Sequence, residues 1–278
     1  MKRSSGLVVT KEVLVNCFLL AGGILVVSPF LWMVLSSLKT EAEIILIPPT
    51  LFPRTVTFQN YIAVFRDVPL IRYFLNSCIN TLGQTIPGIF CVSLTGYVLA
   101  KMHFVGKNVM LMVIIATLMV PFHIRLVPLY RMMVSFNWVD TYRAIIIPGL
   151  MGPFGVFLFR QSFLSMPNSL IDSAKIEGCR TVRIYWSIAM PLVKPTIAAF
   201  AIFSFMVNWN DFLWPLVIIQ TDLLKPLEVG LTRFMNLRFA SYGKIMAGSF
   251  ISVLPIIVVF ISLQKQFIKG ITLTGLKG

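Results

Sequence analysis

The stretch SMPNSLIDSAKIEGCRTVRIYWSIAMPLVKP, from Ser165 to Pro195, places several charged residues between two apolar runs. Its apolar residues recur at helical spacing on either side of Gly178, which predicts two short helices joined by a turn. Asn168 or Ser169 can cap the first helix, and Gly178 can end it because glycine adopts the left-handed conformation that a helix stop needs. The stretch therefore predicts an amphipathic helical hairpin.

The apolar residues of the hairpin define the faces that we expect to be buried. On the first helix these are Leu170, Ile171 and Ala174, and on the second they are Val182, Tyr185, Trp186 and Ala189. A hairpin of this kind, too short to span a membrane, is typical either of a docking surface for a soluble partner or of an interfacial helix on lipid.

The composition of the chain identifies its environment. Of 278 residues, 57% are hydrophobic and only 12% are charged, with a mean hydropathy of +0.86. A soluble globular domain is far less apolar and carries about twice that share of charge. The chain is therefore predicted to lie in a bilayer.

Six segments are long enough to cross a membrane, since a helix needs about 20 apolar residues to do so. They are residues 13–35, 73–100, 108–130, 142–163, 195–220 and 247–267. Nearly every one contains proline, so kinked helices are expected. The prediction is an all-α polytopic protein with six transmembrane helices, a single transmembrane domain over residues 1–278, and a hairpin loop at residues 164–194.

Basic residues predict the orientation of the helices. The first apolar run is longer than the core of a signal peptide and has no small-residue cleavage site after it, so it is expected to be a retained helix. With the N-terminus inside, thirteen Lys and Arg residues fall in the inner segments and ten in the outer loops. This bias favours both termini and the hairpin in the cytosol. Anionic lipid on the inner face accounts for the net charge of +14.

Nothing in the sequence indicates chemistry of its own. Cys17, Cys78 and Cys91 lie in predicted spans, Cys179 lies in the hairpin, and the two histidines are far apart. No pair has metal-ligand spacing, and no phosphate-binding loop, nucleophile elbow or metalloprotease motif is present. We expect no catalytic residue, no metal and no cofactor.

Polar residues inside the fifth predicted span are candidates for function, because polar groups are costly in lipid. Ser204, Asn208, Asp211 and Pro215 recur at steps of four, three and four, which predicts one polar helical face with Trp209 beside it. Such a face either lines a pathway or cross-links helices.

Arg125 in the third predicted span lies at the same depth as Asp211 if both helices are straight. Each is 16 or 17 residues from the inner end of its span, about 25 Å at about 1.5 Å per residue. Equal depth and opposite charge predict an ion pair between them. The candidate pathway residues are therefore Ser204, Asn208, Trp209, Asp211 and Arg125.

Several motifs resemble those of ABC importer permeases. Asp172-Ser173-Ala174, then Gly178, then Ile188-Ala189-Met190-Pro191 is similar to the EAA loop of that family, with Asp for Glu, Ser for the first Ala and Met for Leu. Asn208 to Pro215 resembles the W-N-D/E-F-x-x-P signature of the maltose-transporter-like permeases that import carbohydrates, and Phe267 to Gly278 resembles their C-terminal ending. The short form with six spans is similar to the smaller permease of a pair.

The resemblance implies a transport mechanism and a set of partners. A homologous second permease would complete the pathway, two cytosolic ATPase subunits would grip the EAA-like loops and hydrolyse ATP, and an extracytoplasmic solute-binding protein would deliver substrate, with residues 221–245 as its contact. The chain itself would not be an enzyme, and its place would be the plasma (inner) membrane of a bacterium or archaeon. The residues implied in ATPase coupling are Ile171, Asp172, Ser173, Ala174, Lys175, Glu177, Gly178 and Pro191.

The substrate stays open at this point. Sugars and oligosaccharides are the commonest cargo of the family, and close relatives carry glycerol phosphates. A phosphate ester would suit Arg125, whereas a sugar ring would suit stacking on Trp209 or Trp214. The alternative from another class is an ion-coupled secondary transporter, which would often show inverted repeats and ionisable groups at the midplane.

Overall fold

The computed structural model describes residues 4–235 and 241–275, with side chains described over residues 12–235 and 241–265. Within those ranges every regular element is a helix. The all-α prediction is therefore confirmed. Part of the outer loop at residues 221–245 and the last residues of the C-terminal ending lie outside the described ranges.

The helices follow one another along the whole described chain. They are α1 (Ser4–Ser37), α2 (Glu41–Ile44), α3 (Gln59–Asp67), α4 (Leu70–Lys101), α5 (Lys107–Ala116), α6 (Phe122–Ser135), α7 (Tyr142–Ile146), α8 (Pro153–Leu164), α9 (Asn168–Ile176), α10 (Thr181–Ile184), α11 (Met190–Leu192), α12 (Lys194–Trp209), α13 (Leu213–Ile218), α14 (Leu227–Leu231) and α15 (Tyr242–Gly275). Short 3₁₀ turns follow α5, α7 and α14, and a π-helical turn, Tyr185–Ala189, joins α10 to α11.

Four of the predicted spans are continuous runs of sufficient length and apolarity: Glu12–Ser37, Leu70–Lys101, Tyr142–Leu164 and Tyr242–Lys265. Two further spans are bent pairs of helices, so the described residues hold four to six membrane crossings. The prediction of six apolar segments is confirmed. The expectation that the third and fifth are single helices is wrong.

The third span bends by 104° between α5 with its 3₁₀ turn and α6. Pro121 stands directly before α6, and Val120 before it is extended, with φ −88° and ψ 109°. A residue that precedes proline avoids the helical conformation, and proline has no N–H to donate. The depth of Arg125 in the membrane, which was calculated for a straight helix, therefore does not apply.

The fifth span also differs from its prediction. Predicted over residues 195–220, it begins with α12, which ends at Trp209, well short of residue 220. The 78° bend lies before α12, between it and Thr181–Leu192, which was predicted to belong to the hairpin loop. In a continuous helix the backbone N–H of residue 215 would bond to the carbonyl of Asp211, but residue 215 is proline. The chain breaks at residues 210–212 and starts again as α13.

The chain divides into two compact units, the first made of the residues up to Pro69 with Leu231–Ser252 and the second of Leu70–Gly230 with the residues from Val253 onward. In the first unit, the Glu41 carboxylate accepts hydrogen bonds from the backbone N–H groups of Tyr242 (2.8 Å) and Gly243 (3.0 Å) at the start of α15. These donors have no partner within their own helix, so an acceptor is needed there. Lys244 forms an ion pair with Asp67 at 2.6 Å. Residues 36–67 are thus fastened to the start of α15.

The second unit is built around α4, which packs against α8 and α12. It approaches α8 closely at Gly96, where a Cβ would lie 2.8 Å from Cβ of Phe159 and 2.9 Å from the backbone nitrogen of Arg160. Gly155 on α8 has a similar role, since a Cβ there would meet the ring of Phe200 at 2.6 Å. Glycine allows the helix backbones to approach closely, as is common in membrane bundles.

We expect Gly96→Ala to destabilise the protein, because overpacking of a rigid contact costs about 1–3 kcal/mol. The midpoint of thermal unfolding in detergent should fall by several degrees. The matched control is Gly22→Ala on α1, where an added Cβ meets nothing within 4 Å. Alanine at that position should leave the midpoint unchanged or raise it, because alanine favours helix over glycine. Equal midpoints for the two variants would contradict the close approach of α4 and α8.

Candidate functional site

The hairpin, defined as residues 168–192, has the helix, glycine turn and helix that the sequence predicts. Gly178 has a φ of +77°. Its backbone N–H bonds to the carbonyl of Lys175 (3.0 Å), and the N–H of Cys179 bonds to the carbonyl of Ala174 (2.9 Å). This pair of bonds is the Schellman arrangement, in which a left-handed residue closes the end of a helix. Gly178 is thus confirmed as the end of the first helix.

The predicted N-terminal cap is wrong. Pro167 stands at the cap position, and no side chain accepts a hydrogen bond there. Asn168 is the first residue of α9, and its Oδ1 accepts a hydrogen bond from Nζ of Lys101 (2.6 Å). The same Nζ donates to the carbonyl of Met166 (2.7 Å). Lys101, the last residue of α4, therefore holds the start of the hairpin.

Two of the residues that the sequence assigned to ATPase coupling face the interior of the chain. Ile171 and Ala174 are 5% and 4% exposed and belong to an apolar cluster with Tyr97 and Phe163. They form the root of the hairpin, where it joins the bundle. A direct contact of these two side chains with a soluble partner is therefore incompatible with this arrangement.

The second helix of the hairpin buries only part of the face that was predicted. Val182 and Trp186 are exposed, whereas Ile184, Tyr185 and Ala189 are buried. A π-helical turn over residues 185–189, which includes Trp186, departs from the 3.6-residue period on which the prediction rested. The hydroxyl of Tyr185 lies 2.8 Å from Oγ of Ser93 on α4, within hydrogen-bonding distance.

The exposed side of the hairpin carries the remaining coupling candidates, namely Asp172, Ser173, Lys175, Glu177, Gly178 and Pro191. Asp172 and Lys175 approach to 4.0 Å with both side chains well exposed, so their ion pair contributes little stability. Ile176, which lies at the tip between Lys175 and Glu177, is 88% exposed. A large apolar side chain that is this exposed and is surrounded by polar residues indicates a site of interaction with another molecule.

The polar face predicted for the fifth span is only partly formed. Oγ of Ser204 donates to Oγ1 of Thr85 (3.3 Å), and Nδ2 of Asn208 donates to Oγ of Ser204 (3.2 Å). Asp211 and Pro215 do not continue this face, because the helix ends before them. The two residues that remain contact α4, so in this chain they join helices.

Trp209 and Arg125, the other two pathway candidates, lie in different surroundings. Trp209 is 2% exposed, stacks on Phe205 at 5.5 Å and meets Phe74 edge to face at 5.6 Å. Arg125 is exposed on α6, with its guanidinium 5.8 Å from the ring of Phe122. The Asp211 carboxylate accepts a hydrogen bond from the backbone of Trp214.

The predicted ion pair between Arg125 and Asp211 is absent from the described residues. Both helices that set the equal depth are interrupted, one at Pro121 and the other after Trp209. Within the described ranges, no three His, Cys, Asp or Glu side chains are grouped closely enough to hold a metal ion.

Sequence reasoning also missed a buried polar face on α4. Its members are Asn76, Ser77, Asn80, Thr81, Gln84, Thr85 and Ser93, all between 0% and 5% exposed. The first six form three adjacent pairs that recur every four residues, which places them on one helical face. The same periodicity test that was applied to the fifth span would have found them in the second.

Known proteins that are similar in sequence are membrane components of transport systems. The family described as binding-protein-dependent transport system inner membrane component matches residues 92–272. The chain is 35% identical to the arabinooligosaccharides transport system permease protein AraQ of Halalkalibacterium halodurans, over 91% of each chain. It is 32% identical to the lactose transport system permease protein LacG of Rhizobium radiobacter, over 87% of this chain and 88% of that one.

A more distant relative is named for a different kind of cargo. The chain is 25% identical to the sn-glycerol-3-phosphate transport system permease protein UgpE of Yersinia pestis, over 94% of this chain and 95% of that one. Among solved structures, a chain of a bacterial ABC transporter involved in the import of the acidic polysaccharide alginate has a TM-score of 0.82 at 21% identity, over 96% of this chain and 99% of that one. This likeness supports the fold.

The left-handed conformation at Gly178 gives a testable expectation. Gly178→Val should loosen the hairpin, because an L residue in that conformation costs about 1–2 kcal/mol and a β-branched one more. Gly178→Asn should behave nearly as the wild type, since asparagine tolerates this region. Limited proteolysis of the hairpin in detergent measures the difference.

The control for this experiment is Gly152→Val. Gly152 has an ordinary φ of −77°, and, as at Gly178, an added Cβ meets nothing within 4 Å. Cleavage of the hairpin at the same rate in Gly178→Val and Gly152→Val would show that the backbone conformation at Gly178 does not matter.

Proposed function

The chain belongs to the family of binding-protein-dependent transport system inner membrane components, and from this membership we propose that it is a permease subunit of an ATP-driven ABC importer for sugars or oligosaccharides. It is a multi-pass protein of the inner membrane. The single observation that carries the finer proposal is the hairpin, which has a buried root and an exposed tip. That arrangement fits a subunit that must receive movement from a soluble partner.

The hairpin is the proposed contact with a cytosolic ATPase subunit. Ile176 supplies an apolar side chain at the tip, and Asp172, Lys175 and Glu177 surround it with charge. An apolar centre with a polar rim is the usual composition of a protein interface. Hydrolysis of ATP is assigned to the partner subunits, in agreement with a family of transport permeases.

Movement of the tip would reach the bundle through the root. Ile171 and Ala174 are packed into the apolar cluster, and Lys101 ties the start of α9 to the end of α4. Displacement of the hairpin would therefore displace α4 and the helices packed on it. A homologous second permease would supply the other wall of the pathway, and an extracytoplasmic solute-binding protein would deliver the cargo.

The choice of cargo rests on the relatives. AraQ and LacG are named for arabinooligosaccharides and lactose and are more similar to this chain than UgpE, which is named for sn-glycerol-3-phosphate. We therefore propose a neutral sugar or oligosaccharide as the cargo and keep glycerol phosphate as the alternative. Because the chain belongs to this family, no observation favours the alternative of an ion-coupled secondary transporter.

The function is tested by purifying the tagged chain in mild detergent and identifying the proteins that accompany it by mass spectrometry. A second permease and an ATPase are expected. The reconstituted complex should then transport arabinotriose or lactose with ATP hydrolysis, and sn-glycerol-3-phosphate should not compete. A chain that purifies alone, or only with itself, would contradict the importer.

The tip of the hairpin gives a further expectation. Ile176→Asp should reduce the amount of ATPase recovered with the chain by about tenfold or more, because burying an isoleucine contributes about 1.5–3 kcal/mol. Asp172→Lys should also reduce recovery, through reversal of charge at the same surface. Neither change should alter the unfolding midpoint, since both side chains are exposed.

Val105→Asp is the control, because Val105 is fully exposed in the loop before α5 and lies outside the hairpin. It introduces the same charge at a comparable exposure. Recovery of the ATPase at wild-type level with Ile176→Asp, or an equal loss with Val105→Asp, would count against docking through the tip.

A further inference from the structure

A polar pocket of about 340 Å³ lies between the inner end of α4 and the first helix of the hairpin. Lys101 and His103 line it from the α4 side, and Asn168, Asp172 and Lys175 line it from the hairpin. Its volume falls within the range of about 300–1,000 Å³ that is typical of ligand sites. The pocket is therefore a space of ligand size whose lining can bind an ion.

The pocket lies at the level of the inner membrane surface. Helix α4 has 32 residues and ends at Lys101. At 1.5 Å per residue it is about 48 Å long, whereas the hydrocarbon core of a bilayer is about 30 Å thick and the bilayer with its headgroups about 40–45 Å. Residues 102–106 then connect α4 to α5, which begins the next span. The end of α4 therefore reaches the layer of lipid headgroups.

The charges in the pocket favour an anion. Nζ of Lys101 donates to the carbonyl of Met166 and to Oδ1 of Asn168, which leaves one of its three N–H donors for a further acceptor. Among the described residues that line the pocket, Asp172 is the only acid. Its carboxylate lies 4.0 Å from Nζ of Lys175, and both side chains are more than half exposed, so the pair is weak. One carboxylate therefore faces two ammonium groups.

The surroundings of the pocket add to the positive charge. Nζ of Lys107 donates to the carbonyls of Ala100 (3.4 Å) and Met102 (3.0 Å), which brings a third ammonium group to the end of α4. The sequence has no acidic residue between Asp67 and Asp140, so the connection between α4 and α5 carries only positive charge. An anion at this place is attracted by the whole inner end of α4.

We propose that this pocket binds the phosphate headgroup of an anionic phospholipid of the inner leaflet. Lys101 and Lys175 pair with the phosphate, and His103 supplies a ring N–H donor. Basic pockets between membrane helices on the cytoplasmic side are suited to such headgroups. The proposal goes beyond the proposed function, because it needs only the place of the chain in the membrane and does not depend on the cargo.

A bound headgroup would connect the membrane with the moving part of the subunit. The same phosphate would contact Lys101 at the end of α4 and Lys175 on the hairpin, so it would hold the hairpin against the bundle. Two other anions have the same chemistry, namely free phosphate and an acidic side chain of the ATPase. The experiment separates them from the lipid.

The test is native mass spectrometry of the complex that this chain forms, purified in detergent and depleted of lipid. Phosphatidylglycerol is titrated in, and the number of lipids bound per copy of this chain is counted. Phosphatidylcholine with the same acyl chains is the uncharged comparison, and inorganic phosphate is the soluble one. We expect phosphatidylglycerol to bind more tightly than phosphatidylcholine, and millimolar phosphate to leave it bound.

Lys175→Gln should raise the dissociation constant of the tightest phosphatidylglycerol by about fivefold, the usual effect of one basic residue at an anionic membrane surface. The double variant His103→Gln/Lys175→Gln should raise it further. The matched control is Lys194→Gln, which removes the same charge from an exposed position before α12, outside the pocket lining. It should bind phosphatidylglycerol as tightly as the wild type. Lys101 is left unchanged, because it also holds the start of the hairpin.

Three results would overturn the proposal. Equal weakening by Lys175→Gln and Lys194→Gln would show only a general attraction of a basic chain to anionic lipid. Displacement of phosphatidylglycerol by millimolar phosphate would assign the pocket to a free anion. Lipid that binds the permease subunits alone but is excluded from the complex with the ATPase would assign the pocket to an acidic side chain of that partner.

Discussion

The close approach of α4 to α8 at Gly96 determines the position of most other parts of the second unit. With no side chain at Gly96, the backbone of α8 reaches the surface of α4, and the residues after Phe159 arrive beside the end of α4. Lys101 can then bond to both Met166 and Asn168. The hairpin thus begins where two helices are already fixed to each other, which explains why so short an element has a buried root.

Prolines and polar side chains shape the two interrupted spans. In a bilayer the backbone groups freed by a break must find partners within the protein. At the break after α12, Nδ2 of Asn210 donates to the carbonyl of Met206 (2.7 Å), and the Asp211 carboxylate accepts from Trp214. The polar residues of this signature therefore act first on the backbone, by ending one helix and starting the next.

The sequence predicted the helical class, the apolar segments and the glycine turn because these depend on local composition and periodicity. It wrongly predicted that Val182 and Trp186 are buried. The π-helical turn that contains Trp186 leaves no trace in the spacing of apolar residues. It also treated Arg125 and Asp211 as if their helices were straight. Prolines mark where a bend can occur, but the angle depends on packing against helices distant in the sequence.

The division of the hairpin between root and tip has a consequence for the evolution of such subunits. Ile171 and Ala174 are constrained by the core, whereas Ile176 and the charged residues around it are exposed. Mutations at the tip can therefore accumulate without a loss of folding stability. Under the docking proposed for the tip, a few surface substitutions would suffice to exchange one ATPase for another while the bundle stays unchanged.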